Sequence, residues 1–242
     1  MKIELETIPV WDGVKSNAEC FLCDLMQQSE HHAVSYYLGS SVMHPETRVR
    51  VHQTGFCPTH WESLVQAGKP QALALIGHTY LQHTVKGLES PFHTIAHAKS
   101  PRKTRQGVQA VDKQIAEHEK GCLICSDMQS RLDRYNFTLI SLWRDDREFR
   151  EKFTSGKGVC VHHMGRLLAM AEEALKGAQI SEFSAELVEL VQRNLKRLED
   201  DVWWMTQKYK AEHRDAPWNG CEDAHKRLVH KLIGSGRIVS DS

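Results

Sequence analysis

Cysteine and histidine fall in the same pattern twice along this chain. Cys20-Phe21-Leu22-Cys23 is followed, about 35 residues later, by Cys57-Pro58-Thr59-His60. Cys122-Leu123-Ile124-Cys125 is followed, at nearly the same interval, by Cys160-Val161-His162-His163. Each copy reads C-x2-C and then C-x2-H, and together they use six of the seven cysteines. Three thiolates and one imidazole make a complete tetrahedral shell for zinc. Each copy is therefore expected to hold one ion: Cys20, Cys23, Cys57 and His60 in the first, Cys122, Cys125, Cys160 and His163 in the second. The register of the repeat selects His163 over its neighbour His162.

A closed Cys3His shell favours structural zinc, two ions per chain. An iron–sulfur cluster can also use three cysteines and a histidine, although the tight ferredoxin-like run of cysteines is missing. Redox dithiols account for the C-x2-C pairs but leave two matched C-x2-H pairs unexplained. A metal-dependent enzyme would need an exchangeable ligand, and four protein ligands leave a substrate no place.

Other chemistry is thinner. Cys221, the odd cysteine, stands before a helix start with His225 one turn on, and reads as a helix-cap position rather than a nucleophile. His93 and His97 share a helix face without the glutamate of H-E-x-x-H, and read as surface histidines. Trp203, Trp204 and Trp218 read as packing of the tail, with a recognition patch as the alternative. No glycine-rich phosphate loop, dinucleotide fingerprint or nucleophile elbow is present.

The elements that must position the ligands read as helices. Apolar residues from Leu22 to Tyr37 fit one helix face ending near Gly39. Pro45 and Val49-Arg50-Val51-His52 suggest an extended connection back to Gly55. Pro58 opens a helix, and Gly68 and Pro70 interrupt it before another carrying Leu73, Ile76, Tyr80 and Leu88. Ser90-Pro91 suggests the start of a short helix. The second half repeats the plan with helices from Cys122, Cys160 and Ser181, a stop at Gly177, and a short last helix from Glu222 to Leu232. Both C-x2-C and C-x2-H thus sit at helix starts, where the positive end of the helix favours the thiolate. Each ion would clamp two helix starts, and the intervening residues would run out and back.

Cys20 and Cys122, like Cys57 and Cys160, lie about 100 residues apart, a period that suggests a duplicated module rather than a solenoid. The expected fold is all-α: a helical bundle built from two related metal-clamped modules plus a C-terminal helical extension. The expected organisation is a first module over 1–98, a basic, breaker-rich linker over 99–107 and a second module with its tail over 108–242, packed as one body.

The chain resembles an uncharacterised bacterial family known as a domain of unknown function and frequent in anaerobic Firmicutes. The resemblance rests on Val42-Met43-His44-Pro45-Glu46-Thr47-Arg48, Gly55-Phe56-Cys57, His60 and Leu73-Ala74-Leu75-Ile76. It rests equally on the tail Asp215-Ala216-Pro217-Trp218-Asn219-Gly220 with Asp223-Ala224 and Arg227. It implies a bacterial cytoplasmic protein with paired C-x2-C and C-x2-H motifs, and no activity. Asn219-Gly220 stands where Gly-Asn is usual, and Cys221 where a small polar residue is usual.

Lys and Arg number 31, as do Asp and Glu, so the chain has no overall pull toward phosphates or anionic membrane. Acidic residues near Met1 oppose a signal peptide, and no run reaches the roughly 20 apolar residues of a membrane span. A cytoplasmic location follows, where C-x2-C pairs are more often metal ligands than disulfides. The expected function is zinc binding in a non-enzymatic scaffold or adaptor that presents a surface to an unknown protein partner.

Overall fold

A computed structural model of the chain describes residues 5–235; residues 1–4, on which the reading of the chain's start partly rests, lie outside these. The fold is all-α. The helices are α1 (Thr7–Lys15), α2 (Phe21–Tyr37), α3 (Pro45–Thr54), α4 (Pro58–Gln66), α5 (Pro70–Ala96), α6 (Pro101–Glu119), α7 (Leu123–Asp145), α8 (Arg147–Ser155), α9 (Val161–Ala174), α10 (Ala178–Gln207) and α11 (Ala224–Ile233). Short 3-10 turns cover Ser40–Met43 and Ala211–His213, and no strand occurs among the described residues.

The chain divides into two compact units. One holds the chain up to Gln28 and again from Ser130 onward; the other is Ser29–Gln129. The chain passes between them within α2 and within α7. This division cuts across the modules expected from the sequence. The basic segment 99–107 is not a linker but the first part of α6, which begins after a serine cap at Ser100 with Pro101 in the first turn. Gly107, inside that segment, is a packing position: a Cβ there would come within 2.5 Å of Ile95 Cγ1, so α5 and α6 approach closely only because it is glycine.

In the first unit, α10 packs on α8, α9 and α11, and α1 packs on α8. Phe183, Leu187, Leu190, Val191 and Leu198 give α10 its buried stripe, at the spacing of one helix face. Trp11 of α1 meets Phe149 of α8 edge to face at 5.1 Å. In the second unit, α5 packs on α3, α4 and α6. Tyr37, Phe56, Trp61 and Tyr80 form a run of ring contacts at 5.0, 5.0 and 5.4 Å.

Three further expectations are corrected. The stretch after Pro45 is helix α3 rather than an extended return; Pro45 sits in its first turn and Thr47 and Val51 are buried, so packing overrides the β-branched composition. Ser90-Pro91 does not start a helix: Pro91 lies inside α5. Gly177 does not stop α9, which ends at Ala174, but caps the start of α10 at φ 56°.

Two candidate metal centres

The C-x2-H pairs are placed by one local device used twice. Gly55 and Gly158, each two residues before a cysteine, have φ of 68° and 72°, in the left-handed region that glycine alone enters freely. After this turn, Cys57 and Cys160 become the N-cap residues of α4 and α9, with nearly equal backbone angles (φ −68°, ψ 163° and φ −71°, ψ 164°). His60 and His163 then lie in the first turn, on the same side as the cysteine. The C-x2-C pairs straddle the starts of α2 and α7; Cys23 N bonds to Cys20 O at 3.1 Å, whereas in the other pair it is Ser126 N, four residues on, that bonds to Cys122 O at 3.0 Å.

The structure brings all eight expected residues into two clusters, but with exchanged partners. One cluster is Cys20, Cys23, Cys160 and His163, wholly in the first unit; the other is Cys57, His60, Cys122 and Cys125, wholly in the second. The expected grouping within each copy is therefore corrected: each cluster takes its C-x2-C from one copy and its C-x2-H from the other. A physical reason lies in α3. Ten extended residues reach about 33–36 Å, but as a helix they span only about 15 Å. The run out along α2 is thus not matched by an extended return.

In the first unit, His163 Nδ1 lies 3.4, 3.4 and 3.3 Å from the sulfurs of Cys20, Cys23 and Cys160, and Cys23 Sγ lies 3.8 Å from Cys160 Sγ. All four residues are at most 1% exposed. The turn after α11 covers them. Gly234, at φ 79°, brings its backbone so near that a Cβ would sit 3.3 Å from Cys23 Sγ, and the N–H of Ser235 donates to that sulfur at 3.4 Å. Lys231 of α11 is fully buried beside this centre, donating through Nζ to the carbonyls of Glu19 and Lys157. The Glu19 carboxylate next to Cys20 is held by Arg197, at 2.5 Å. Among the described residues, nothing hydrogen-bonds the buried Nε2 of His163.

In the second unit, His60 Nδ1 lies 3.2, 3.2 and 3.3 Å from the sulfurs of Cys57, Cys122 and Cys125, and Cys57 Sγ lies 3.9 Å from Cys125 Sγ. Here His60 and Cys122 are buried, Cys57 is half-buried and Cys125 is exposed. Nε2 of His60 faces Glu30, with Oε1 at 3.4 Å. The first backbone N–H of α7, from Leu123, donates to the carbonyl of Gly55 and ties the two halves of this centre together.

The electrostatics show how strongly the ligands of each cluster are coupled. Hydrogen bonds from the Cys20 and Cys23 thiols, followed by backbone N–H groups of α9, push Cys160 down to about 3. Cys20 is pushed well up, first by burial and then by its neighbouring sulfurs. In the other centre the Cys125 thiol, and after it His60, push Cys122 down to about 3. Cys125 is pushed up, first by its hydrogen bond to Cys122. Burial opposes protonation of His60, yet Cys122 and Glu30 raise it to about 10. Thiolate charges this close repel one another, and only a cation at the middle lets all three ionise together. Each cluster can hold such an ion.

Three groups escaped the sequence reading: Glu30, Lys231 and the Gly234-Ser235 turn. None carries a spacing signature, since each reaches its centre only through helix packing. Cys221 is buried outside both clusters, 3.6 Å from Asp201 Oδ1, and burial pushes its thiol up. His162 contacts the His163 ring edge to face at 5.3 Å rather than joining the cluster. His93 and His97 are exposed, with rings stacked at 4.2 Å. The tail motif is structural. Arg227 binds Asp223, Asp201 and the carbonyl of Gly220, and Lys208 donates to the carbonyls of His213, Arg214 and Ala216 beside Trp218. Trp204 donates to the carbonyl of Pro217, whereas Trp203 is exposed.

Residues 1–238 match the model of a family of unknown function. No curated protein and no solved structure matches the chain.

Proposed function

The chain belongs to the family of unknown function DUF6062, and we propose that each of its clusters holds one zinc ion, making it a zinc-stabilised, non-enzymatic helical scaffold that presents a surface to a protein partner. The observation that carries this reading is the size of the two clusters. With Zn–S bonds near 2.3 Å and Zn–N near 2.0 Å, a tetrahedral site has S···S edges of about 3.7–3.8 Å and S···N edges of about 3.5 Å. In the clusters the Cys23–Cys160 and Cys57–Cys125 sulfurs lie 3.8 and 3.9 Å apart, the S···N distances are 3.2–3.4 Å, and all ligand atoms of each cluster lie within 4.8 Å of one another. That is the size of a shell around one ion. An iron–sulfur cluster places several iron and sulfide atoms between its ligands and would hold the cysteine sulfurs farther apart. Four protein ligands also leave no open position for a substrate.

The metal would act by holding helix starts together, α2 to α9 in one unit and α4 to α7 in the other. A structural zinc site contributes on the order of 10 kcal/mol to folding. The matched glycine turns before Cys57 and Cys160 support an origin by duplication. Free thiols throughout the described residues suit a reducing cytoplasm; no described helix is long and apolar enough to cross a membrane. Exposed apolar side chains on α5 (Leu81, Val85, Phe92) and α6 (Val108, Ile115) support the partner-binding part.

Anaerobic purification followed by metal analysis and a visible spectrum tests the reading. Two zinc ions per chain, no colour, and unfolding on chelation are expected. Stoichiometric iron with visible absorbance, or a fully folded metal-free chain, would overturn it.

A further inference from the structure

We propose that Cys57 and Cys125 form an oxidisable pair, which hydrogen peroxide converts to a disulfide with release of zinc from the second unit's centre alone. The metal part rests on the zinc reading above.

Three observations point the same way. Cys125 is exposed and Cys57 half-buried, and their sulfurs lie 3.9 Å apart, so the pair an oxidant reaches first is already in contact. The surroundings add negative charge: zinc with three thiolates would carry −1 in either centre, and here the histidine is also backed by the Glu30 carboxylate. That charge keeps the sulfurs electron-rich. The other centre is built the opposite way. Its ligands are at most 1% exposed, the Ser235 N–H lies on Cys23 Sγ, and the Lys231 ammonium is buried alongside. The two centres share ligand types, so the sealed centre is a control within the same molecule.

The chemistry balances without a further reagent. The Cys125 thiolate attacks peroxide, the O–O bond breaks, and a sulfenic acid and hydroxide form. The Cys57 thiolate then attacks that sulfur, the S–O bond breaks, the S–S bond forms and a second hydroxide leaves. Two protons convert both hydroxides to water. Two thiolates are oxidised by two electrons, and peroxide is reduced by two. The sulfurs must close from 3.9 Å to about 2.05 Å. Cys122 and His60 alone cannot retain the ion, so it departs, and a dithiol reductant reverses the disulfide.

The test treats the full-length wild-type chain, and a Cys221→Ala chain that lacks the cysteine outside both centres, with hydrogen peroxide. Zinc release is followed with a chromogenic chelator and disulfides are mapped by mass spectrometry. The expected result is one zinc released at least roughly tenfold faster than the other. The product carries a Cys57–Cys125 disulfide, and dithiothreitol restores the starting thiols. Equal release from both centres, a first disulfide at Cys20–Cys23, or oxidation of Cys125 without a link to Cys57 would overturn it. A chain that purifies without zinc defeats the zinc reading, and the disulfide map of that same sample still decides this one.

Discussion

The two centres use the same four ligand types, the same glycine turn and the same helix-start geometry, yet differ in everything around the ligands. The centre in the first unit is sealed by the turn after α11, flanked by a buried ammonium, and leaves His163 Nε2 without a partner among the described residues. The centre in the second unit has one sulfur in solvent and a carboxylate on its histidine. The ligand set decides that a metal can bind; the surroundings decide what happens to it afterwards. A sealed site exchanges only when its unit opens, whereas an open one meets solvent, chelators and oxidants in the folded state.

Removing one thiolate from each centre should separate the two most strongly. Cys160→Ser leaves a buried three-ligand site that no water can complete. It is expected to lose its zinc and on the order of 5 kcal/mol or more, enough to unfold many domains. Cys125→Ser leaves its gap at the surface, where water can fill the fourth position, and is expected to cost less than half as much. Thermal unfolding with zinc analysis of both variants decides; equal losses would erase the distinction.

A smaller effect is expected from Lys231→Met. The substitution keeps most of the packing volume but strips the donor from the buried carbonyl of Glu19 and the half-buried carbonyl of Lys157, at about 1–3 kcal/mol for a buried unsatisfied group and less for the other. It also removes the cation beside the sealed centre. Denaturant unfolding should show destabilisation of about 2–4 kcal/mol, with chelators then removing the sealed zinc faster and the open one at its former rate.

The smallest is Glu30→Gln, which weakens the support of His60. A loss of about 10–100-fold in zinc affinity at the open centre is expected, read by competition with a chelator of known affinity. The affinity of the sealed centre should not move. A drop at both centres would mean that Glu30 acts through the fold at large.

Much of this was legible in the residues. Metal ligation demands particular side chains within one helical turn, so C-x2-C and C-x2-H announce themselves at Cys20, Cys57, Cys122 and Cys160 wherever they later meet. The long periodic stripe of α10 was legible for the same reason: burial of one face imposes its spacing. Partner choice was not. Pairing within each copy would close loops of about 35–40 residues, whereas the observed pairings span 62–68 and 137–143. The longer loops cost only on the order of 1–2 kcal/mol more, which helix packing easily outweighs. No spacing rule can read so small a difference. Helix α3 is not legible because Val49 and Val51 suggest a strand when taken alone, and only the packing of α3 against α5, with Val51 buried and Val49 exposed, makes a helix better. Glu30 and Lys231 were invisible because an isolated acid and an isolated lysine, met in a helix, look like solvated surface.

The exchanged pairing also sets an order of events during synthesis. The two pairings are nested like brackets, the second unit's ligands lying wholly between those of the first. Once Cys125 has left the ribosome, the inner bracket has all its ligands, while Cys20 and Cys23 still wait for Cys160 and His163. At about 5–20 residues per second, that wait lasts roughly 2–8 s. The centre that stays accessible in the finished protein is thus the first able to take its ion. The one that ends up sealed begins as a bare pair of thiols, made earliest and completed last.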